Sequence, residues 1–336
     1  MTNVSLALPL ADEKLATALT EELQHVEEHL RSATSHADTV VNEASQHLAN
    51  AGGKRLRPLL TLLAAHVGQG VNDDVRQAAL VVELTHLASL YHDDVMDSAP
   101  LRRGAPSAHE VWGNSVAILT GDLLFARASR LVANLGPEAV HIQAVTFERL
   151  CLGQLHETMG VRDGDDPVEH YIGVLADKTA SLLATSALLG AKFAGADHGI
   201  QQALARYGEN VGVAFQLADD IIDLTSDGDV TGKTQGTDLR EQVPTMPVLL
   251  LRAQVLSGHA SQDDRDLLAL IDSDLSDDAA LAAAVEQLRA HRVIELTRQR
   301  ASAYADQAVR ELDSLPEGPV RQALQDFAHI LVERTA

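Results

Sequence analysis

The sequence has few residues of the kinds that favour strands, disulfide bonds or binding to polyanions. Of its 336 residues, 3% are aromatic and one, Cys151, is a cysteine. A single cysteine forms no internal disulfide, and no Cys/His metal spacing accompanies it, as is typical of a reducing compartment. The scarcity of aromatic residues, beside abundant Ala and Leu, favours helices over strands. We therefore expect an all-α protein.

Positive charge is scarce as well. The chain has 26 Lys+Arg against 48 Asp+Glu, a net charge of −22, which argues against non-specific binding to nucleic acid or to an anionic membrane. No uninterrupted apolar run reaches the roughly 18 to 20 residues of a membrane span. The N-terminal segment MTNVSLALPLADEKL also lacks the basic region of a secretory signal. These features predict a cytoplasmic protein without a transmembrane segment.

The spacing of apolar residues predicts helices along the whole chain. In segment 11–33, apolar residues recur at intervals of three and four, which indicates a surface or interface helix; they are Leu15, Leu19, Leu23, Val26 and Leu30. Other segments are apolar on most faces, as expected inside a large bundle; they are 58–92, 115–133, 172–194, 203–224 and 245–256. No linker interrupts the chain. The predicted fold is a single domain, 1–336, in which ten or more helices surround a central apolar cavity.

Two acidic clusters have the same DDxxD pattern, in HDDVMD at 92–97 and ADDIID at 218–223. Residues four apart share one face of a helix, so Asp93 lies above Asp97 and Asp219 above Asp223. Both clusters follow apolar stretches, where neighbouring carboxylates repel one another and lose solvation unless a hard cation binds them. One copy alone could equally be an exposed acidic face. Two copies predict Mg²⁺ sites whose remaining positions are filled by water and substrate phosphate.

The other acidic residues have simpler interpretations. In the acidic group at 163–166, Asp166 precedes Pro167, which predicts a helix N-cap with proline at the first helical position. Asp227 and Asp229 lie beyond the second cluster beside a glycine, and we interpret them as part of a solvated turn rather than as additional metal ligands.

Basic residues are grouped at two places. Three follow a pair of glycines in GGKRLRP at 52–58, and two more stand in RRG at 102–104, five residues after Asp97. Glycine allows close backbone approach and arginine can hold phosphate oxygens in a bidentate manner, so each group is a candidate diphosphate site. The alternative is an ordinary helix N-terminus with surface charges. His86 lies seven residues before Asp93, and Gln216 lies three residues before Asp219, where either could be a hydrogen-bonded core residue.

Taken together, these blocks resemble the trans-isoprenyl diphosphate synthases of the polyprenyl synthetase family, nearly from end to end. The matching blocks are GGKRLRP (52–58), HDDVMDSAPLRRG (92–104), GDLL (121–124), KTASLL (178–183), FQLADDIID (215–223) and GKTQGTDLRE (232–241). The resemblance implies the helical isoprenoid synthase fold and a homodimer. It also implies elongation of an allylic diphosphate by isopentenyl diphosphate.

The resemblance assigns roles to individual residues. It implies that Mg²⁺ is bound by Asp93, Asp94, Asp97, Asp219, Asp220 and Asp223. It places isopentenyl diphosphate at Lys54, Arg57, His86 and Arg103. It places the allylic diphosphate at Arg102, Lys178 and Lys233, with Thr179 and Gln216 close to the reacting carbon chain. Among these residues, the ones expected to act in catalysis are Asp93, Asp97, Asp219, Asp223, Lys178 and Arg102.

The implied chemistry agrees with the residues. Metal ions and basic side chains stabilise the charge on a departing diphosphate, so that the allylic C–O bond ionises. The isopentenyl double bond attacks the resulting cation, and a proton is lost. Apolar walls protect the cation from water. One block departs from the family, because many relatives have glycine and lysine where Gln242 and Val243 stand here, which removes one cation from the diphosphate site.

Two small residues predict the product length. The growing chain is expected to run along the helix that ends at Asp93, and Ala88 and Ser89 lie about one turn back. Relatives that make short products have a bulky aromatic residue at one or both positions. Here both side chains are small, so the path of the growing chain stays open towards Thr85. Phe125, on a neighbouring helix, is another candidate for the residue that stops the chain. We expect a product of roughly C30 to C50, and the alternative is a C20 or C15 product.

Three other functions share part of this pattern. A class I terpene cyclase or squalene-type synthase also uses a DDxxD motif, but has a different second metal motif. An HD-type phosphohydrolase could use His92 and Asp93 with His47 or His66, but leaves the second DDxxD unexplained. A regulatory subunit of a heteromeric synthase generally lacks the aspartate motifs, although the catalytic subunit of such a synthase has them.

Overall fold

The computed structural model describes residues 10–225 and 235–333, which are almost entirely α-helical. The first ten helices are α1 (Glu13–Thr34), α2 (Thr39–Asn50), α3 (Leu56–Ala65), α4 (Asp73–Met96), α5 (Ala108–Trp112), α6 (Asn114–Asn134), α7 (Pro137–Met159), α8 (Pro167–Leu175), α9 (Ser181–Phe193) and α10 (His198–Thr225). The remainder are α11 (Thr237–Arg240), α12 (Met246–Leu256), α13 (Gln262–Ile271), α14 (Asp278–Ala290), α15 (Arg292–Glu311) and α16 (Pro319–Glu333). The predicted all-α fold with more than ten helices is confirmed.

Two short segments interrupt the regular α-helices. Ala176–Ala180, between α8 and α9, forms a π-helical turn, which we call the π turn. Leu312–Ser314 forms a 3₁₀ turn before α16. Within the described residues the only strands are β1 (Leu101–Arg102) and β2 (Ala105–Pro106), which pair antiparallel.

Side-chain caps explain where several helices begin. Asp12 accepts a hydrogen bond from the Leu15 backbone N–H at 2.8 Å, and Asn72 accepts one from Val75 at 2.9 Å. Asp166 caps α8, which has Pro167 in its first turn. Such caps satisfy backbone N–H groups that have no partner inside the helix. The prediction of a structural role for Asp166 is confirmed.

The chain divides into two compact units. The first contains residues 10–148, 182–208 and 311–326, and the second contains 149–181, 209–225, 235–310 and 327–333. Helices α7 and α10 each contribute residues to both units. A single domain over 1–336 stays a prediction.

In the first unit, the apolar stripe of α1 is already covered by the same chain. All five residues of the stripe are buried, with Leu19 at 0% exposure. The predicted surface helix is therefore present, but its apolar face is not available to a second chain. Helix α4 is buried on most of its faces, and its residues Leu84 and Leu87 belong to one apolar cluster with Leu124 of α6.

In the second unit, apolar side chains of α8 and α10 share one cluster with those of α12 and α15. Its members Leu217 and Met246 are fully buried. The continuous helical stretch Pro167–Phe193 is long and apolar enough to cross a membrane by length and composition. However, 61% of its apolar window is buried, and core helices of soluble proteins pass the same test.

Candidate active site

The first aspartate cluster lies at the C-terminal end of α4. Asp93 is half-buried and Asp97, the C-cap residue, is exposed. Asp94 points into the protein with a side-chain exposure of 0% and pairs with Arg102, whose Nε and Nη2 both lie 2.6 Å from its Oδ1. Its Oδ2 is buried without a hydrogen-bond partner. Burial raises the pKa of Asp94, and the charge of Arg102 opposes that shift.

The two arginines of RRG are presented by a tight hairpin. Arg103 and Gly104 connect β1 to β2 with φ angles of +55° and +78°. Positive φ at both positions of a two-residue turn matches the twist of a hairpin, and glycine adopts it without steric cost. Arg103 donates to the backbone carbonyls of Leu48, at 3.2 Å, and Gly52. The turn thus directs Arg102 to the aspartate cluster and Arg103 to the GGKRLRP loop.

The glycines of GGKRLRP provide space for this contact. A Cβ atom on Gly53 would lie 2.9 Å from the guanidinium of Arg103. Arg55 points away from the loop into the protein, where it pairs with Glu83 at 2.7 Å and with Glu27. Arg55 is therefore a structural residue of the loop. Lys54, by contrast, is exposed to solvent.

The charges of four arginines act on His86 of α4. Burial first, and then four arginines, hold the pKa of His86 well below its usual value of 6.5, so the imidazole is neutral near pH 7. These are Arg57, Arg103, Arg55 and Arg102. Burial also lowers the pKa of Arg57 to about 10, and its Nε has no hydrogen-bond partner. A buried cation without enough partners is costly, so the position of Arg57 is suited to an anion.

The second aspartate cluster lies near the C-terminal end of α10. Asp219 and Asp223 are half-buried, whereas Asp220 is buried. The Tyr171 hydroxyl donates to the Asp220 carboxylate, 2.9 Å from either oxygen, and the Met246 N–H donates to Oδ2 at 3.1 Å. Burial raises the pKa of Asp220 well above its usual value. In both clusters, therefore, the middle aspartate points inward while the outer pair shares the more exposed face.

Lys178 and Thr179 both lie in the π turn and are half-buried, and Lys178 pairs with Glu157 of α7. Gln216 is half-buried on α10. The predicted ligand Lys233 lies outside the described residues, as do Asp227 and Asp229.

The two chain-length residues differ in burial. Ala88 is fully buried in the cluster formed by α4 and α6, while Ser89 is half-buried and donates from Oγ to the His86 carbonyl at 2.9 Å. The Phe125 ring lies 5.8 Å from the His92 ring and 4.2 Å from that of Phe147. Of the two predicted positions, Ser89 is the one with accessible surface.

The departure from the family at Gln242 has a backbone consequence. Gln242 has a φ of +56°, in the left-handed region that favours glycine. Val243 donates its N–H to the Asp238 carbonyl at 2.8 Å.

Four residues with clear contacts to the site were not identified from the sequence. They are Asp122, Arg149, Glu157 and Tyr171. The Oδ1 of Asp122 lies 3.3 Å from Nε2 of His92, and a Cβ on Gly121 would lie 2.4 Å from that same nitrogen. The GDLL block therefore provides both the space and a partner for the His92 ring. The contact of Tyr171 with Asp220 could not be predicted from a sequence motif, because the two residues are 49 positions apart.

The donor atoms fit a hard divalent cation. The outer aspartates offer only carboxylate oxygens, which Mg²⁺ and Ca²⁺ prefer, and the buried Oδ2 of Asp94 lacks a partner. Within residues 10–225 and 235–333, no three His, Cys, Asp or Glu side chains are already grouped closely enough to hold a metal.

The fold and these residues define an all-helical protein with two aspartate clusters and with basic side chains on the GGKRLRP loop and the β1–β2 turn. The family model described as Polyprenyl synthetase matches residues 38–288. The chain belongs to this family, as its sequence predicts.

Named relatives extend over nearly the whole chain. The chain is 45% identical over 326 residues to a nonaprenyl diphosphate synthase of Mycobacterium tuberculosis, covering 97% of this chain and 96% of the relative. It is 37% identical to component 2 of the heptaprenyl diphosphate synthase of Geobacillus stearothermophilus, covering 94% and 97%. Its structure is similar to that of geranylgeranyl pyrophosphate synthase from Corynebacterium glutamicum complexed with calcium and isoprenyl diphosphate. That comparison gives a TM-score of 0.86 and 40% identity, covering 98% of this chain and 99% of the other.

Proposed function

We propose that this protein is a long-chain polyprenyl diphosphate synthase, which adds isopentenyl diphosphate repeatedly to an allylic diphosphate. The family confirms the predicted enzyme class, a prenyltransferase. The observation that carries the proposal is the unpaired, buried Nε of Arg57, in a region where the charges of four arginines act on the neutral imidazole of His86. Two relatives named for nine-unit and seven-unit products support an all-trans product of roughly C30 to C50.

We assign Mg²⁺ to the outer aspartates, Asp93 with Asp97 and Asp219 with Asp223. Asp94 and Asp220 complete the two proposed metal clusters from the buried side, where the Oδ2 of Asp94 has no hydrogen-bond partner. When bound, the metal would supply positive charge to stabilise the diphosphate as the allylic C–O bond breaks. The calcium in the related crystal structure supports a hard divalent cation at such a site.

The diphosphate groups are assigned to different basic residues. Isopentenyl diphosphate is held by Arg57 and Arg103, with Lys54 at the exposed side and neutral His86 as a hydrogen-bonding partner. The allylic diphosphate is held by Arg102, Lys178 and Lys233. Thr179 and Gln216 lie close to the reacting carbons. In this proposal Arg102 both binds the allylic diphosphate and neutralises Asp94.

A C20 product is the second candidate. It is favoured by the 40% identity to the Corynebacterium glutamicum enzyme, which is named for a geranylgeranyl product. The small side chains of Ala88 and Ser89 favour the longer product.

We also propose that the active protein is a cytoplasmic homodimer. Helix α7 has a row of exposed apolar side chains, including Val140 at 41%, Leu155 at 53% and Met159 at 61%. Exposed apolar patches of this kind mark protein interfaces. The variant Leu155→Glu is expected to shift the protein to a monomer in light scattering, and an unchanged molecular mass would contradict this interface.

One incubation tests the function. The purified protein receives Mg²⁺, labelled isopentenyl diphosphate and farnesyl diphosphate, and the products are identified by mass spectrometry, with EDTA as the control. A metal-dependent series ending between C30 and C50 is expected. Products that stop at C20 would support the second candidate. Cyclised products, release of phosphate without elongation, or no reaction would each contradict the proposal.

A further inference from the structure

The π turn that carries Lys178 and Thr179 is held by one face of α7. Arg149, Gly153 and Glu157 are spaced four residues apart, so they share that face. Each contacts a different part of the turn region: Arg149 bonds to its first residues, a Cβ on Gly153 would lie 2.5 Å from the Lys178 backbone nitrogen, and Glu157 pairs with the Lys178 ammonium.

Arg149 has the largest set of contacts with this region. Its Nε donates to Asp177 at 2.7 Å, its Nη2 donates to the Ala176 carbonyl at 3.2 Å, and both Nη atoms reach the carboxylate of Glu209 on α10. The guanidinium therefore joins the first two residues of the π turn to a neighbouring helix. A planar fork with several donors can make these bonds at once, whereas lysine cannot.

The opposite side of the turn is packed against a second glycine. A Cβ on Gly212 of α10 would lie 2.3 Å from the Ala180 Cα, so the backbones of α10 and the turn are in direct contact. A π turn inserts one extra residue into a helix and is frequently found at functional sites. The extra residue changes the direction of the side chains that follow, so the backbone of this turn sets where Lys178 and Thr179 point.

We propose that Arg149 is a positioning residue for the allylic diphosphate site, which it serves by fixing the π turn. This inference rests on the proposed function, in which Lys178 binds the allylic diphosphate. Arg149 has a second effect, because it neutralises Asp177 and Glu209. Without it, the Asp177 carboxylate, adjacent in sequence to Lys178, would repel an anionic substrate.

Arg76 provides a matched control. Its side chain is 29% exposed against 30% for Arg149, and it also holds two carboxylates, those of Glu22 and Asp73. It has no assigned role in binding or catalysis.

The experiment measures KM for farnesyl diphosphate and for isopentenyl diphosphate separately, with Mg²⁺. Arg149→Met is expected to raise the allylic KM by roughly 10- to 100-fold, the range found when a group that orients a ligand is removed. The KM for isopentenyl diphosphate should change by less than about threefold, and Arg149→Lys should recover part of the loss. Hydrogen exchange at 176–180 should become faster in Arg149→Met, while Arg76→Met should show neither effect.

Several results would overturn the inference. Equal changes in both KM values, an unchanged allylic KM, or the same kinetic effect from Arg76→Met would mean that Arg149 only stabilises the fold. If Arg149→Met does not fold, Arg149→Lys decides, because it keeps the positive charge but not the planar set of donors that joins Ala176, Asp177 and Glu209. A rise in the allylic KM without a rise in the KM for isopentenyl diphosphate supports the inference, and an unchanged allylic KM refutes it. A wild-type protein that elongates nothing would instead refute the proposed function.

Discussion

Placing an aromatic ring at Ser89 should shorten the product. Ser89 lies four residues before Asp93, which at 1.5 Å per residue is about 6 Å along α4. One extended isoprene unit has a similar length, so a ring at this level leaves space for only a few units beyond the reacting carbon. We expect Ser89→Tyr to change the product from C30–C50 to about C15 or C20 while turnover continues.

Burial makes Ser89 a cleaner test than Ala88. Ser89 is half-buried, and its replacement removes one hydrogen bond to the His86 carbonyl, worth about 1 kcal/mol. Ala88 has 0% exposure in an apolar cluster with Leu84 and Leu124. An added ring there costs about 1 to 3 kcal/mol by overpacking. Ala88→Phe should therefore also shorten the product, but with a lower free energy of unfolding.

The assay is a mass spectrum of the product series at fixed substrate ratio, with Ser89→Ala as the matched control. That control removes the same hydroxyl and adds no bulk, so its products should match those of wild type. If Ser89→Tyr gives wild-type products, or if Ser89→Ala shortens them equally, the chain does not pass Ser89. A wild-type product that already stops at C15 or C20 would also contradict the prediction, because the chain would then be stopped by a residue other than those at positions 88 and 89.

Three further predictions concern the metals, the anion sites and the backbone. Asp93→Ala or Asp219→Ala should lower turnover by several orders of magnitude with the fold retained, because each removes a metal ligand, as steady-state kinetics with circular dichroism will measure. Arg57→Ala should raise KM mainly for isopentenyl diphosphate, whereas Arg102→Lys should raise it mainly for the allylic substrate. Lysine is chosen at 102 because leaving buried Asp94 unpaired would cost about 3 to 5 kcal/mol. Gln242→Gly should stabilise the protein by about 1 kcal/mol in thermal unfolding, because it relieves a left-handed backbone.

Each of these predictions has a result that contradicts it. A metal-ligand variant that retains more than roughly a tenth of wild-type turnover, a loss below about 1.4 kcal/mol in barrier, would remove that aspartate from the site. Equal effects of Arg57→Ala and Arg102→Lys on both substrates would mean that the two anion sites are merged or exchanged. A Gln242→Gly variant no more stable than wild type would show that the strain at this position does not exceed the conformational entropy that glycine loses on folding.

The features predicted best from the sequence are those determined by helix geometry. The stripe of α1 follows from spacings of three and four, and the N-cap at Asp166 follows from the proline after it; the structure has both. The DDxxD spacing likewise predicts that Asp93 and Asp97 lie at the same end of α4, as they do. The family was recognised for a related reason, since its blocks are contiguous in sequence.

What could not be predicted depends on partners that are distant in sequence. The inward position of Asp220 requires Tyr171, 49 residues earlier, and Arg55 is turned inward by Glu27 and Glu83, each 28 residues away. No local pattern indicates such pairs. The π turn lies between these two cases. The sequence shows that Arg149, Gly153 and Glu157 share one face of α7, but it does not show which residues that face contacts.

The two-residue turn between β1 and β2 also limits how this segment can vary. Arg102 and Arg103 are adjacent, yet one contacts Asp94 and the other the carbonyls at Leu48 and Gly52. Inserting or deleting one residue here would exchange the sides on which the arginines lie, and each would lose its partner. A substitution in this segment can therefore be compensated by a change in a partner residue. An insertion or deletion cannot, because it moves both arginines away from their partners at once. The distance between the HDDVMD and RRG blocks should thus be as constrained as the residues themselves.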